Sequence, residues 1–225
     1  MGISQRRERE RAQRHQLIVQ AARELAETEG WGAVTTRRLA ERIEYSQPVL
    51  YSHFAGKGAI VNAVALEGFA ELAEATRLAR TKVTQATQAT QATEATETTQ
   101  ATQPTRTAAG ERAQHAALLA VARAYAAFAR ANPALYDAMF TLATDLSFGS
   151  MDSPQPLKDA FVELLAVFGP LAGPDDDPET FTEVGWSALH GLVTLDRDSR
   201  LRDGDGYQDQ RIALLIARLT GDVPK

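Results

Sequence analysis

The residues from Thr35 to Lys57, TTRRLAERIEYSQPVLYSHFAGK, carry the types and spacing that point to a chemistry, and it is the chemistry of contacting a nucleic-acid duplex. Two short helices separated by about three residues describe a helix-turn-helix. On the first, Leu39 and Ile43 would pack against Val49 or Leu50 and Phe54 of the second. Ala40 falls where the two helices must come close and a small side chain is needed. The second helix then exposes Gln47, Val49, Tyr51, Ser52 and His53. These are polar or aromatic tips on a helix just long enough to enter a major groove. Its N-terminus adds partial positive charge and free N–H groups, which suit phosphate.

Other chemistries find little support. There is no cysteine, which removes disulfides, thiolate catalysis and Cys-ligated zinc and suits a reducing interior. His15, His53, His115 and His190 are scattered, and no two share a metal-ligand spacing. No nucleophile elbow, phosphate-binding glycine loop, metal triad or acid pair stands at a recognisable spacing. His190 with Asp196 or Asp198 is too thin a pair to support hydrolysis. A non-enzymatic protein without metal or cofactor is expected.

Composition and charge agree. The 225 residues are 44% hydrophobic and 24% charged, enough to bury a sizeable core. No apolar run approaches the roughly 18 residues of a membrane span. The Arg- and Glu-rich start, with no apolar segment before Leu17, does not read as a secretory signal, so no membrane partner and a cytoplasmic location are expected. The formal charge of −5 hides an asymmetry: residues 1–60 hold ten basic and seven acidic side chains, a net +3, which leaves −8 for the remainder. A basic head on an acidic body fits a nucleic-acid module joined to something else.

Helix signals dominate the elements that must position these residues. Leu17, Ile18, Ala21, Ala22, Leu25 and Ala26 recur at helical spacing before a stop at Gly30. Thr35 and Thr36 can cap the first helix of the motif and Ser46 the second. A longer helix is expected from Lys57 to about Arg80, and others over Glu111–Ala131, from Pro133 after an Asn132 N-cap, over Leu157–Phe168, over Pro178–Leu195, and over Tyr207–Leu219. The sum is an all-α fold of about nine helices. It divides into a helix-turn-helix domain over residues 1–60 and a helical domain over 61–225. Residues 84–107 interrupt the second domain with a Thr-Gln-Ala triplet repeat. A period of three forms no stable stripe on a helix, Pro104 ends any helix, and the segment reads as a solvated, mobile insert with at most frayed helix at its start.

The run PVLYSHFAGKGAIV resembles the recognition helix and following turn of the tetracycline-repressor (TetR) family, through its Leu-Tyr-x-His-Phe-x-x-Lys pattern. Gly30–Thr35 and Thr36–Ala40 match as well, and Leu17–Ala65 fits without a gap. One departure is Glu44 in the turn, where the family has a small residue or glycine. If that site requires positive φ, Glu44 costs about 1 kcal/mol relative to glycine. Gly58 departs too, where the family often has a charged residue.

The resemblance implies roles. Thr36 and the backbone at the start of the second helix would hold phosphate, and so would Tyr51, His53 and Lys57. Arg37 would reach a guanine edge, Gln47 an adenine or the sugar-phosphate, and Pro48 and Val49 thymine methyl groups. Packing against the first helix is the plainer alternative for Tyr51, and a surface cap for His53. Arg38 and Arg42 read as a solvated face. The Arg6–Arg14 arm interleaves Arg with Glu, which fits internal salt bridges as well as DNA contact.

Further on, Trp186-Ser-Ala-Leu-His190-Gly191 resembles the Trp/His-Gly (WHG) signature of one group of C-terminal domains in this family. Trp186 and His190 share a face, and Gly191 permits another helix to approach. The resemblance implies a pocket, for which Tyr125, Phe128, Tyr136, Met139, Phe140, Phe161, Phe168, Trp186 and His190 are the candidates; the alternative for each aromatic is plain core. It also implies a homodimer through Pro178–Leu195 and Tyr207–Leu219. The function so implied is a transcriptional regulator on a double-stranded, palindromic DNA operator, a repressor released by a small-molecule effector. The alternative is an activator, or a constitutive regulator without effector.

Overall fold

The structure is a computed structural model that describes residues 2–97 and 106–221. Nine α-helices and one short 3-10 turn make up its regular structure, and the described residues contain no strand. In chain order the helices are α1 (Ile3–Glu29), α2 (Thr36–Arg42), α3 (Gln47–His53), α4 (Lys57–Glu97), α5 (Arg106–Ala131), α6 (Pro133–Phe140), α7 (Gln155–Phe168), α8 (Pro178–Arg197) and α9 (Tyr207–Leu219), with the 3-10 turn over Gly169–Leu171. The all-α expectation holds. No helix among the described residues is long and apolar enough to cross a membrane.

Helices α1, α4 and α5 outrun their expected bounds, α5 by starting at Arg106. α1 begins at Ile3, well before the apolar stripe at Leu17. Its first turns are tied along one side by Arg6 and Arg14 to Glu10, at 2.8 and 3.7 Å. α4 continues past Arg80 through the first triplets to Glu97, so that part of the repeat is helical rather than an irregular insert. Thr84 and Thr87 turn their hydroxyls back onto the carbonyls of Arg80 and Val83, at 3.1 and 3.0 Å, which spares the helix an outside partner for them. The triplets at 98–105, with Pro104, lie outside the described residues.

The chain falls into two compact units. The first comprises Met1–Glu71 and Ala131–Lys158. Its core is Ile18, Val19, Leu25, Leu39, Leu50, Phe54, Ile60, Val64 and Leu135. The sequence division near residue 60 does not foresee α6 in this unit. Its place there follows from Trp31, whose indole N–H donates to the Ala134 carbonyl at 2.7 Å. It follows also from Glu27, whose carboxylate accepts the N–H groups of Ala134 and Leu135 at 3.1 and 3.0 Å. Glu27 thereby does the capping expected of Asn132, whose side chain instead accepts from Arg23 at 3.0 Å. A Cβ on Gly68 would stand 2.5 Å from the Met139 sulfur, so this glycine sets how closely α4 and α6 pack.

The second unit comprises Leu72–Arg130 and Asp159–Lys225. Leu118, Val121, Tyr125, Phe168, Leu189, Ile212 and Ile216 form its core. Asp177 caps α8, accepting the Thr180 N–H at 2.8 Å. Asp196, read in the sequence as a thin catalytic partner for His190, is occupied by Arg211 at 2.7 Å and Gln208 at 2.8 Å; it ties α8 to α9. The close-approach glycine of α8 is Gly185, where a Cβ would meet the Phe168 ring at 2.5 Å. Gly191 has open space where its Cβ would stand, so no helix among the described residues uses the approach expected there.

Candidate nucleic-acid interface

The motif is built from α2 and α3. Thr35 caps α2, its hydroxyl accepting the Arg38 N–H at 3.2 Å. Leu39, Ala40, Leu50 and Phe54 are buried, while Ile43 and Val49 are half-buried. The apolar seam therefore runs through Leu50, which leaves Val49 turned partly outward. The turn between the helices closes on a Tyr45 N–H to Ala40 carbonyl bond of 2.9 Å. That closure places Glu44 at φ 57°, in the left-handed region the sequence flagged as the condition for strain. Ser46 occupies the N-cap position of α3, but its hydroxyl makes no capping bond, contrary to expectation. Pro48 in the first turn lowers the demand for a cap, since it has no N–H to satisfy.

The outward side of α3 carries Gln47, Pro48, Tyr51 and Ser52, all exposed, with His53 half-buried at its end. Tyr51 is 54% exposed, which excludes burial against α2. Its phenol still reaches the Thr36 hydroxyl at 3.4 Å, so the two expected phosphate contacts stand side by side. Arg37 is exposed and paired to Glu41 at 2.9 Å, a surface pair that a stronger partner can displace. Lys57 donates to the Trp31 carbonyl, so its ammonium is fixed at the start of α4. Burial pushes the His53 imidazole below its ordinary pKa, helped by the positive charge of Arg11, His15 and Arg14. Arg38 grips Glu29 with both guanidinium nitrogens at 2.8–2.9 Å, and Arg42 reaches Glu24 at 3.3 Å. Both fasten the motif to α1, as side chains on a solvated face do.

Residues 18–64 match the family model for bacterial regulatory proteins of the tetR family, and residues 118–219 match that of the tetracyclin repressor-like C-terminal domain. The chain belongs to the TetR family. It is a DNA-binding transcriptional regulator, and the family's members are not enzymes. The class C tetracycline repressor of Escherichia coli is 46% identical over 48 residues, 21% of this chain and 22% of that protein. The class A repressor from transposon 1721, also of Escherichia coli, is 43% identical over 54 residues, 24% of this chain and 25% of that one. The match thus spans about a quarter of those curated relatives.

Two solved structures share the fold over nearly the whole regulator. A protein of unknown function from Rhodococcus sp. RHA1 superimposes with a TM-score of 0.63 at 17% identity, covering 94% of this chain and 95% of that one. The TetR-family transcriptional regulator PfmR from Thermus thermophilus gives 0.51 at 16% identity, covering 92% and 99%.

The pocket candidates of this TetR regulator divide. Tyr136, Met139 and Phe140 lie in the first unit, where Phe140 packs on Tyr136 and Phe69 at centroid distances of 4.7 and 5.3 Å. Tyr125, Phe128, Phe161, Phe168, Trp186 and His190 lie in the second. Among these, the Trp186 indole donates to the Tyr125 hydroxyl at 3.1 Å, and that hydroxyl meets His190 Nδ1 at 3.0 Å. Thr194 stands 3.4 Å from the other ring nitrogen. Burial lowers the His190 pKa, with Arg197 adding to it.

A cavity of about 330 Å³ opens in the same unit, lined by Arg80, Thr84, Gln88, Gln114 and Val167 among others. The sequence reading missed Arg80 and Gln114. Arg80 is set by a 2.7 Å bridge to the buried Glu163, and Gln114 by a 2.6 Å bond to the Val167 carbonyl. Neither partner is near in sequence, and an aromatic search passes over both. Among the described residues no group of acidic and histidine side chains could hold a metal ion.

Proposed function

We propose that this regulator acts as a homodimeric repressor that a small molecule releases from a palindromic operator. The observation that carries the reading is the outward face of α3, with Gln47, Pro48 and Tyr51 exposed beside Thr36 and Arg37. Thr36, Tyr51, His53 and Lys57 serve the phosphates, Arg37 a guanine, Gln47 an adenine or the backbone, and Pro48 and Val49 thymine methyls.

The dimer reading is supported by α8, where Val184, Ala188, Gly191 and Leu195 recur at helical spacing on one face. Val184 is 62% and Leu195 44% exposed, and Leu214 of α9 adds 57% exposure. Such a face on the surface of one chain fits an isologous contact with a second. Two recognition helices then sit about 34–36 Å apart, one turn of duplex. The effector reading is supported by the Tyr125, Trp186 and His190 cluster inside the second unit. α4 supplies residues to both units, so a conformer that displaces it changes the spacing of the recognition helices.

Mobility shift on the DNA upstream of the protein's own gene, with and without a panel of small molecules, tests the proposal. A retarded band that a ligand releases is expected. Retention that no ligand changes would favour a constitutive regulator instead.

A further inference from the structure

The first turns of α1 hold more basic charge than the helix consumes. Arg6 and Arg14 bridge to Glu10, and Arg9 donates to the Gln5 carbonyl at 3.3 Å. Arg7 and Arg11 are exposed and, among the described residues, meet neither a carboxylate nor a hydrogen-bond acceptor. They stand one helical turn apart, and His15 follows one turn later on the same face. The His15 ring packs on Phe54 at 4.5 Å, at the end of α3. The register that seats His15 there carries Arg11 and Arg7 on beyond it, roughly 6 and 12 Å along the α1 axis. Arg14 flanks the same face, and Glu8 at its edge leaves it net positive. Arg11 is close enough to His53 for its charge to be felt there.

We infer that Arg7 and Arg11 form a phosphate clamp that extends the helix-turn-helix contact onto the duplex backbone flanking the site read by α3. The inference rests on the DNA-binding reading and goes beyond it, because α3 needs nothing from this part of α1 to reach base edges. Two considerations select duplex phosphate as the occupant. The patch adjoins the C-terminal end of α3, through the His15 ring on Phe54 and the nearness of Arg11 to His53, and a planar guanidinium matches phosphate oxygens with two parallel donors. Contacts of this kind fix register and add affinity without reading sequence.

The test uses the full chain, a duplex recovered by selection from a randomised pool, and a scrambled duplex of equal length. Affinity is measured between about 50 and 200 mM salt for wild type, Arg7→Ala/Arg11→Ala and Arg7→Lys/Arg11→Lys, a range over which phosphate contacts dominate the change. The slope of log affinity against log salt should shrink in the alanine variant by about 0.9 per lost contact, about 1.8 per protomer. The loss should be equal on both duplexes, and the lysine variant should keep the wild-type slope. Circular dichroism should be unchanged, since neither side chain packs on anything.

An unchanged slope in the alanine variant, with wild type still binding, overturns the clamp and leaves the regulator intact. Loss on the selected duplex alone overturns it too, by making the pair a reader of sequence. Lost binding to phosphatidylglycerol vesicles with an unaltered DNA slope would assign the patch to lipid. Wild type that binds neither duplex would remove the DNA reading together with the clamp.

Discussion

The Tyr51 phenol and the Thr36 hydroxyl stand 3.4 Å apart, one on the exposed face of α3 and the other at the first residue of α2. Two hydroxyls from separate helices thus meet at one point on the surface, and a single phosphate oxygen can accept from both. Replacing Tyr51 by Phe removes one donor and leaves the ring. Operator affinity should fall by about 1.5–3 kcal/mol, the range for a hydrogen bond to a charged group, while stability from urea unfolding changes by no more than about 0.5 kcal/mol. A matching loss of stability would make the phenol a packing group instead.

Glu44 pays for the shape of the turn with a φ of 57°. Glu44→Gly should stabilise the protein by about 1 kcal/mol, since glycine enters the left-handed region without a clash of Cβ. Urea unfolding measures it. Destabilisation by the substitution would show that the Glu44 side chain makes a contribution larger than the strain.

The motif was legible in the residues because its determinants are local. Thr35 caps within three residues, and Leu39, Leu50 and Phe54 pack within one short segment. The Glu44 backbone was legible for the same reason, through its place between two helices. Distance in sequence hid the rest. Glu27 caps a helix that starts more than a hundred residues later, so Asn132 stood in for it on the page. The nine pocket candidates share residue type but not location, because α6 returns to the first unit on the strength of the Trp31 and Glu27 bonds. The helical run to Glu97 was obscured by weighing the period of the repeat above the helix propensity of its Ala and Gln.

Glu27 supplies two acceptors to the start of α6, and no other side chain near that end offers a carboxylate bond to those N–H groups among the described residues. Glu27→Ala should therefore cost about 1–2 kcal/mol, as loss of a helix cap does. Asn132→Ala should cost less, because its side chain makes no capping bond to α6. Thermal or urea unfolding of the two variants compares them. The reverse order would return the capping role to Asn132.

His190 holds a pKa below 6.5 in the folded chain because it is buried, with Arg197 adding to the effect. The unfolded state therefore binds a proton that the folded state resists. Its contribution to stability is complete above about pH 6.5 and is lost as pH falls through that value toward the folded pKa. Denaturant unfolding from about pH 7.5 to 5, above the range of the carboxylates, should show this decline, and His190→Gln should flatten part of it. The remainder belongs to His53, whose pKa is lowered in the same direction. A slope identical in wild type and variant would contradict the burial of the His190 ring as the cause of its lowered pKa.

Selection of duplexes from a randomised pool by the purified full-length protein tests the central claim most directly. The account predicts enrichment of one inverted repeat whose half-sites lie about one helical turn apart, and loss of that enrichment in Gln47→Ala/Tyr51→Ala. Recovery of unrelated sequences at low salt, or the same repeat enriched equally by the variant, would contradict it.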